Sequence, residues 1–237
     1  MRAAHQRGFT LLELMIAMAI GLFLAGALVT VVQTNKRVFL NQNQLEQMQD
    51  GQRMAMTLMA DVIQSAGYFP QPWNNTLSGT LLAGGAFANS QAITGAAGDS
   101  ISVRYMTAPQ DGILNCSGLS NTNPVGGANI LYVNTFAVVG GQLQCTDQTG
   151  AVFTLVSGVT NLFVLYGVKT NLAASGNNVD TYLTAGQMTA SNWQNLISVR
   201  ITVRFTNPLY TGAGQGQPAT IDIQRTVDVM NQAGPTT

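Results

Sequence analysis

Charge is scarce in this 237-residue chain: Asp, Glu, Lys and Arg make up 8% of it, ten basic against ten acidic. So balanced and thin a charge offers no basic patch for a nucleic-acid backbone, and that class of partner is set aside. There is one histidine, His5, and it stands ahead of every periodic segment. Two cysteines, Cys116 and Cys145, form no Cys-x-x-Cys or Cys/His spacing, so no zinc or other metal site is expected. No nucleophile stands in a recognisable arrangement with a base. Asp61, Asp99, Asp111 and Asp147 are scattered over helical and loop patterns with no spacing that pairs them. The chain is therefore not read as an enzyme: it has no catalytic residues and no cofactor-binding pattern. Proline is missing before Pro70, which leaves everything upstream free to form unbroken helix.

What the chain does have begins with Arg7-Gly8-Phe9-Thr10-Leu11-Leu12-Glu13. From Leu14 to Asn35 no side chain is charged, which is about 22 residues or roughly 33 Å of helix, enough to cross a hydrocarbon core. A lone carboxylate, Glu13, at the head of such a run is expensive in lipid and asks for a reason. A secretory signal has a shorter apolar core followed by small residues at a cleavage site. This run is longer and passes without a break into a second helical pattern, so it reads as retained.

In that second pattern Leu45, Met48, Gly51, Ala55, Leu58, Val62 and Ala66 recur at three- and four-residue steps. Gln47, Asp50, Arg53, Thr57 and Asp61 fill the other positions. Met48, Met54, Met56 and Met59 read as core packing. Gly67 is a candidate C-cap, and Pro70 and Pro72 stop the helix. One helix is expected from about Phe9 to about Ala66.

Residues 68–100 read as irregular, and 170–184 fit no pattern. Short β-rich runs follow at Ile101–Tyr105, Ile130–Val133, Val152–Val156 and Leu162–Tyr166. The two clearest strands come last. Ile197, Val199, Ile201, Val203 and Phe205 alternate with polar residues, and so do Ile221, Ile223, Val227 and Val229, with Arg225 breaking the apolar face. Arg200 and Arg204 are placed to meet Asp222 or Asp228 across such a pair. The Gly-rich stretch 206–219 between them reads as a mobile loop. An antiparallel sheet with one apolar face needs a cover, and the stripe at 45–66 supplies it. The expected class is α+β: a long N-terminal helix whose second half packs on an antiparallel β-sheet domain.

The residues from Arg7 to Glu13 resemble the class III leader junction of type IV pilins and type II secretion pseudopilins. The resemblance implies that a prepilin peptidase cuts between Gly8 and Phe9 and that the new N-terminal Phe9 is methylated. It also implies that the Glu13 carboxylate of one subunit neutralises the terminal amine of a neighbour, a charge pair that checks register during assembly. Further along, Arg53–Phe69, Val159–Val168 and Trp193–Ile201 resemble, in the same order, segments of PilW-type minor pilins. Major pilins carry a helix-kinking proline in the hydrophobic half; its absence here speaks against a bulk fibre subunit.

On this reading the chain divides into a leader (1–8), a transmembrane and assembly helix (9–35), an amphipathic continuation (36–67) and a periplasmic β-rich domain (68–237). The resemblance implies a type IV pilin-like fold and a minor pilin that primes pilus assembly and enters the fibre near its tip, supporting twitching motility or adhesion. The alternative is a minor pseudopilin of type II secretion. Implied partners are the prepilin peptidase, other minor pilins, the major pilin and the inner-membrane assembly platform. Gly21, Ala25, Gly26 and Ala27 offer small surfaces for helix contact. Arg2, His5 and Arg7 precede the apolar run, which gives a cytoplasmic N-terminus and a single pass through the inner membrane. An exported domain meets an oxidising compartment, so a Cys116–Cys145 disulfide is expected, with two buried thiols as the alternative. A calcium loop at Asn177, Asn178 and Asp180 is a weaker reading, since its spacing is not that of an EF-hand.

Overall fold

The computed structural model describes residues 10–96, 100–173, 175–176, 178–212, 214 and 216–229. The chain falls into two compact units, Met1–Met48 and Gln49–Thr237. Helix α1, Leu11–Gln64, runs through the boundary without interruption, as the lack of proline allows.

In the first unit, every residue from Leu11 to Gln42 is exposed. Thr30 and Thr34 turn their hydroxyls back onto the carbonyls of Ala27 (2.7 Å) and Thr30 (2.9 Å). The helix thus satisfies its own polar groups within the apolar stretch, which is what a hydrocarbon environment demands.

In the second unit, α1 buries Gln52, Ala55, Met56, Met59, Ala60, Val62 and Ile63. Of the methionines expected in the core, Met56 and Met59 are there, but Met54 is 64% exposed because it falls on the face that carries Arg53 and Thr57. The helix ends where Gly67 takes a left-handed φ of 74° and donates its N–H to the carbonyl of Arg104 at 3.0 Å. A side chain is strained in that conformation, and glycine is not.

One sheet is expected from sequence; the structure has two. Strands β1 (Ile93–Ala96), β2 (Ser100–Thr107), β3 (Ile130–Val139), β4 (Gln142–Thr146) and β5 (Val152–Ser157) form the first, in that order. Strands β6 (Val159–Val168), β7 (Thr181–Leu183), β8 (Leu196–Thr206) and β9 (Thr220–Asp228) form the second, in the order β7-β6-β8-β9. All pairings are antiparallel. The break falls at Gly158, whose φ of 79° turns the chain so that β6 pairs with β8 rather than with β5. β6 then packs against β2, β3 and β4. Both sheets contribute to the core: Ile101, Val103, Tyr105 and Phe136 from the first and Leu162, Val164, Tyr166 and Ile201 from the second are buried. At Gly95 of β1 the approach to Tyr166 leaves no room for a Cβ.

β1 and the short helix α2 (Leu77–Thr80) lie in the stretch expected to be irregular, and β7 lies in the unread stretch 170–184. Each is four residues or fewer and owes its form to a partner: β1 to β2, β7 to β6. A last short helix, α3 (Ala190–Gln194), carries Trp193, which meets Tyr166 edge-on with ring centres 4.8 Å apart.

Candidate assembly surface

The first turn of α1 is closed by its own side chains. The Glu13 carboxylate accepts the backbone N–H of Thr10 at 2.9 Å and its hydroxyl at 3.2 Å, and the Glu13 N–H donates to the Thr10 hydroxyl at 3.3 Å. This is a capping box, in which the two residues satisfy donors that the start of a helix leaves unpaired. Thr10-Leu11-Leu12-Glu13 carries that signature in the sequence, as Thr-x-x-Glu before an apolar run, and the reading by charge alone passed over it. Gly8 and Phe9 lie outside the described residues.

Beyond Glu13 the helix presents Leu14, Ile16, Phe23, Leu28 and Val32, each at least half exposed. It is long and apolar enough to cross a membrane, and none of its most apolar window is buried in the chain. A core helix of a soluble domain hides such a face. Here the apolar surface lies open in the single chain, as on a face that meets lipid or other chains.

In the second unit, the structure joins Cys116 and Cys145 in a disulfide with Cα atoms 6.3 Å apart. It ties the long β2–β3 connection to β4. The loop is held around Cys116: its N–H donates to the buried Asn134 Oδ1 at 2.8 Å, and Asn115 Oδ1 accepts from the N–H groups of Ser117 and Leu119.

The four aspartates weighed as catalytic groups do not converge. Asp147 folds the β4–β5 turn, accepting from the Thr149 hydroxyl (2.6 Å) and from the N–H groups of Thr149 and Ala151. Those donors, the Thr149 hydroxyl first, hold its carboxyl below the usual range. Asp111 caps a turn through the N–H groups of Ala108 and Ile113. Asp61 is exposed on α1, and Asp99 lies outside the described residues. In the region read as a weak calcium loop, Asp180 accepts from the N–H groups of Asn171 (2.7 Å) and Thr170 (2.8 Å). Its carboxylate is thus a clasp across the β6–β7 connection; Asn177 lies outside the described residues.

Sequence reasoning missed Arg104. It sits in β2 at 2% exposure, and its guanidinium donates to four backbone carbonyls: Gln91 (2.6 Å), Leu82 (2.6 Å), Ala88 (2.7 Å) and Leu81 (3.1 Å). Phe87 lies over it, 4.7 Å from ring centre to guanidinium carbon. Burial lowers its pKa from the ordinary arginine value. No sequence signal marks it, because the carbonyls that hold it belong to the irregular stretch before β1.

Two family comparisons bear on the whole. Residues 3–29 match the prokaryotic N-terminal methylation motif, which covers the leader junction and the start of α1. Residues 125–232 match the family described as Type IV Pilus-assembly protein W, which covers β3 through β9. Together they support a PilW-type type IV minor pilin. The long N-terminal helix and antiparallel sheets of this chain are consistent with a type IV pilin-like fold. No curated protein matches it. PilW-type pilins are structural rather than catalytic.

Proposed function

We propose that the chain is made as a prepilin, cut between Gly8 and Phe9, methylated on Phe9 and held in the inner membrane by residues 9–35. The β-rich domain, 68–237, then lies in the periplasm, and the amphipathic part of the helix, 36–67, connects the two. With other minor pilins it primes assembly of a type IV pilus on the inner-membrane platform and enters the fibre near the tip, ahead of the major pilin. Twitching and adhesion depend on it indirectly, and it catalyses nothing itself.

The observation that carries this reading is the exposed apolar face from Leu14 to Val32, headed by one carboxylate and lying largely within the matched motif, residues 3–29. Such a face is stable only in lipid or against other helices, and an isolated carboxylate beside it becomes tolerable once a neighbour supplies an amine. The match to the pilus-assembly family favours the pilus over the secretion pseudopilus.

A deletion strain scored in parallel for sheared pili and secreted exoproteins tests it. Loss of pili with normal secretion is expected. Normal pili with failed secretion would assign the chain to the secretion system instead. Mass spectrometry of the surface-exposed protein should find N-methylated Phe9 at its start.

A further inference from the structure

β9 is the last strand of the second sheet, and its outer side has no neighbouring strand among the described residues. The Val229 N–H donates to the Ile197 carbonyl (2.9 Å) and the Asn207 N–H to the Ala219 carbonyl (3.0 Å). With the register Ser198↔Asp228, both bonds belong to odd-numbered pairs. In an antiparallel ladder, hydrogen-bonded and non-bonded pairs alternate. Ile221, Ile223, Arg225 and Val227 therefore turn their backbone groups to β8. Asp222, Gln224, Thr226 and Asp228 turn theirs outward, and none of those outward N–H or C=O groups has a partner among the described residues.

Beside this edge runs a groove of about 440 Å³ between β9 and α1, lined by Gln49, Gln52, Arg53, Met56, Ile223 and Arg225, among others. Its floor is apolar, and the polar groups on offer there include several unmet donors. Gln52 is 4% exposed, and its buried Nε2 has no acceptor. Arg53 is exposed with no ion pair among the described residues. Arg225 makes one long bond, 3.4 Å, to the Met56 carbonyl. Among the described residues no acid lines the groove. Asp222 is already held by Arg204, and Asp228 stands at the far end of the strand.

We propose that this edge and groove receive an extended, acidic segment of another subunit of the same pilus complex, which adds to the second sheet as a fifth strand and sets a carboxylate between Arg53 and Arg225. The inference rests on the pilus-assembly reading above. Strand addition takes its hydrogen bonds from the main chain and its specificity from alternate side chains. A second copy of this chain does not fit. Paired edge to edge, its β9 would bring Ile221, Ile223, Arg225 and Val227 to the same face, adding an arginine where a carboxylate is wanted.

The test is photo-cross-linking in the full chain, expressed in its host, with p-benzoylphenylalanine at position 224 and, separately, at position 20 in the apolar helix. Position 224 should yield a cross-link to a peptide of another pilus subunit that carries Asp or Glu. Two changes should each reduce the yield at least tenfold: Thr226→Pro, which removes an outward N–H and spares the β8 ladder, and Arg225→Glu. Protease resistance of the full chain confirms that each variant is folded. If Arg225→Glu abolishes the cross-link, replacing the partner's cross-linked acid by Lys should restore it. Cross-linking at 20 but not at 224 overturns the docking site and leaves the assembly reading intact. Cross-linking to pilins at neither position overturns both. A cross-link at 224 that survives both substitutions also overturns the docking mode.

Discussion

Thr10 and Glu13 cap each other, with the carboxylate of one on the backbone N–H of the other at 2.9 Å. The carboxylate thus has a local task in the single chain, starting the helix, besides the one proposed for it between chains. Glu13→Gln separates the two, because glutamine serves the same place in a capping box but carries no charge. Membrane insertion of this variant should equal wild type while its recovery in sheared pili falls severalfold. Glu13→Ala should lose the cap as well, at roughly 1 kcal/mol of helix stability. Wild-type recovery of Glu13→Gln in pili would sink the charge-pair role and leave only the cap.

Arg104 organises the covering segment between α2 and β1. Replacing it by Met removes the charge and its bonds to four carbonyls; those of Leu81 and Ala88 keep the N–H groups of Ser90 and Gln91, while those of Gln91 and Leu82 lose their donor. A buried acceptor left unmet costs about 1–3 kcal/mol, so a loss of about 3 kcal/mol or more is expected. Arg104→Lys should fall between, since an ammonium reaches fewer of the carbonyls than the planar fork does. Urea unfolding of the full chain in detergent, followed by near-ultraviolet circular dichroism, reads both. Wild-type stability of the Met variant would refute the account.

The Cys116–Cys145 bridge closes a loop with a sequence separation of 29. In the chain-entropy account this is worth about 3–4 kcal/mol. Cys116→Ser/Cys145→Ser, or wild type in reductant, should lower the unfolding midpoint accordingly. The wild type should become reducible in the native state only slowly, because both cysteines are buried. Equal midpoints in oxidised and reduced protein would contradict this.

Asp147 supplies an acid-dependent part of the stability. Its folded pKa lies below the ordinary 3.8. A depressed carboxylate stabilises the fold above its unfolded pKa and loses that contribution as pH falls through the folded one. Asp147→Asn should therefore be about 1 kcal/mol less stable than wild type near neutral pH. The gap should narrow below pH 3.8 and close at lower pH. Melting curves from pH 7 to pH 2 measure it; a gap independent of pH would rule the carboxylate out as its source.

Much of the fold is visible in the chain before any coordinate. The absence of proline before Pro70, the uncharged run and the stripe ending at Ala66 all point to one helix, and Gly67 marks its end by the conformation it permits. β8 and β9 are legible because alternation along a half-buried strand leaves a period of two. Arg204 and Asp222 face each other as that alternation implies, with nitrogen-to-oxygen distances of 2.7 and 2.8 Å. Arg200 does not reach Asp228; it stacks on Tyr182, 3.8 Å from the ring centre, which required the position of β7 to be known.

Local chemistry and order along the chain thus suffice for the helix, its caps and the strongly alternating strands, since each depends on residues a few places apart. The matched N-terminal methylation motif belongs with them, as a pattern of neighbouring residues. The division into two sheets, the burial of Arg104 among four carbonyls and the open edge of β9 depend on what lies beside each element in space. Those contacts join residues from 13 to 169 places apart, and no local pattern encodes them. The tertiary structure decided them because desolvation and hydrogen-bond satisfaction are settled by neighbours in space, whatever their place in the sequence.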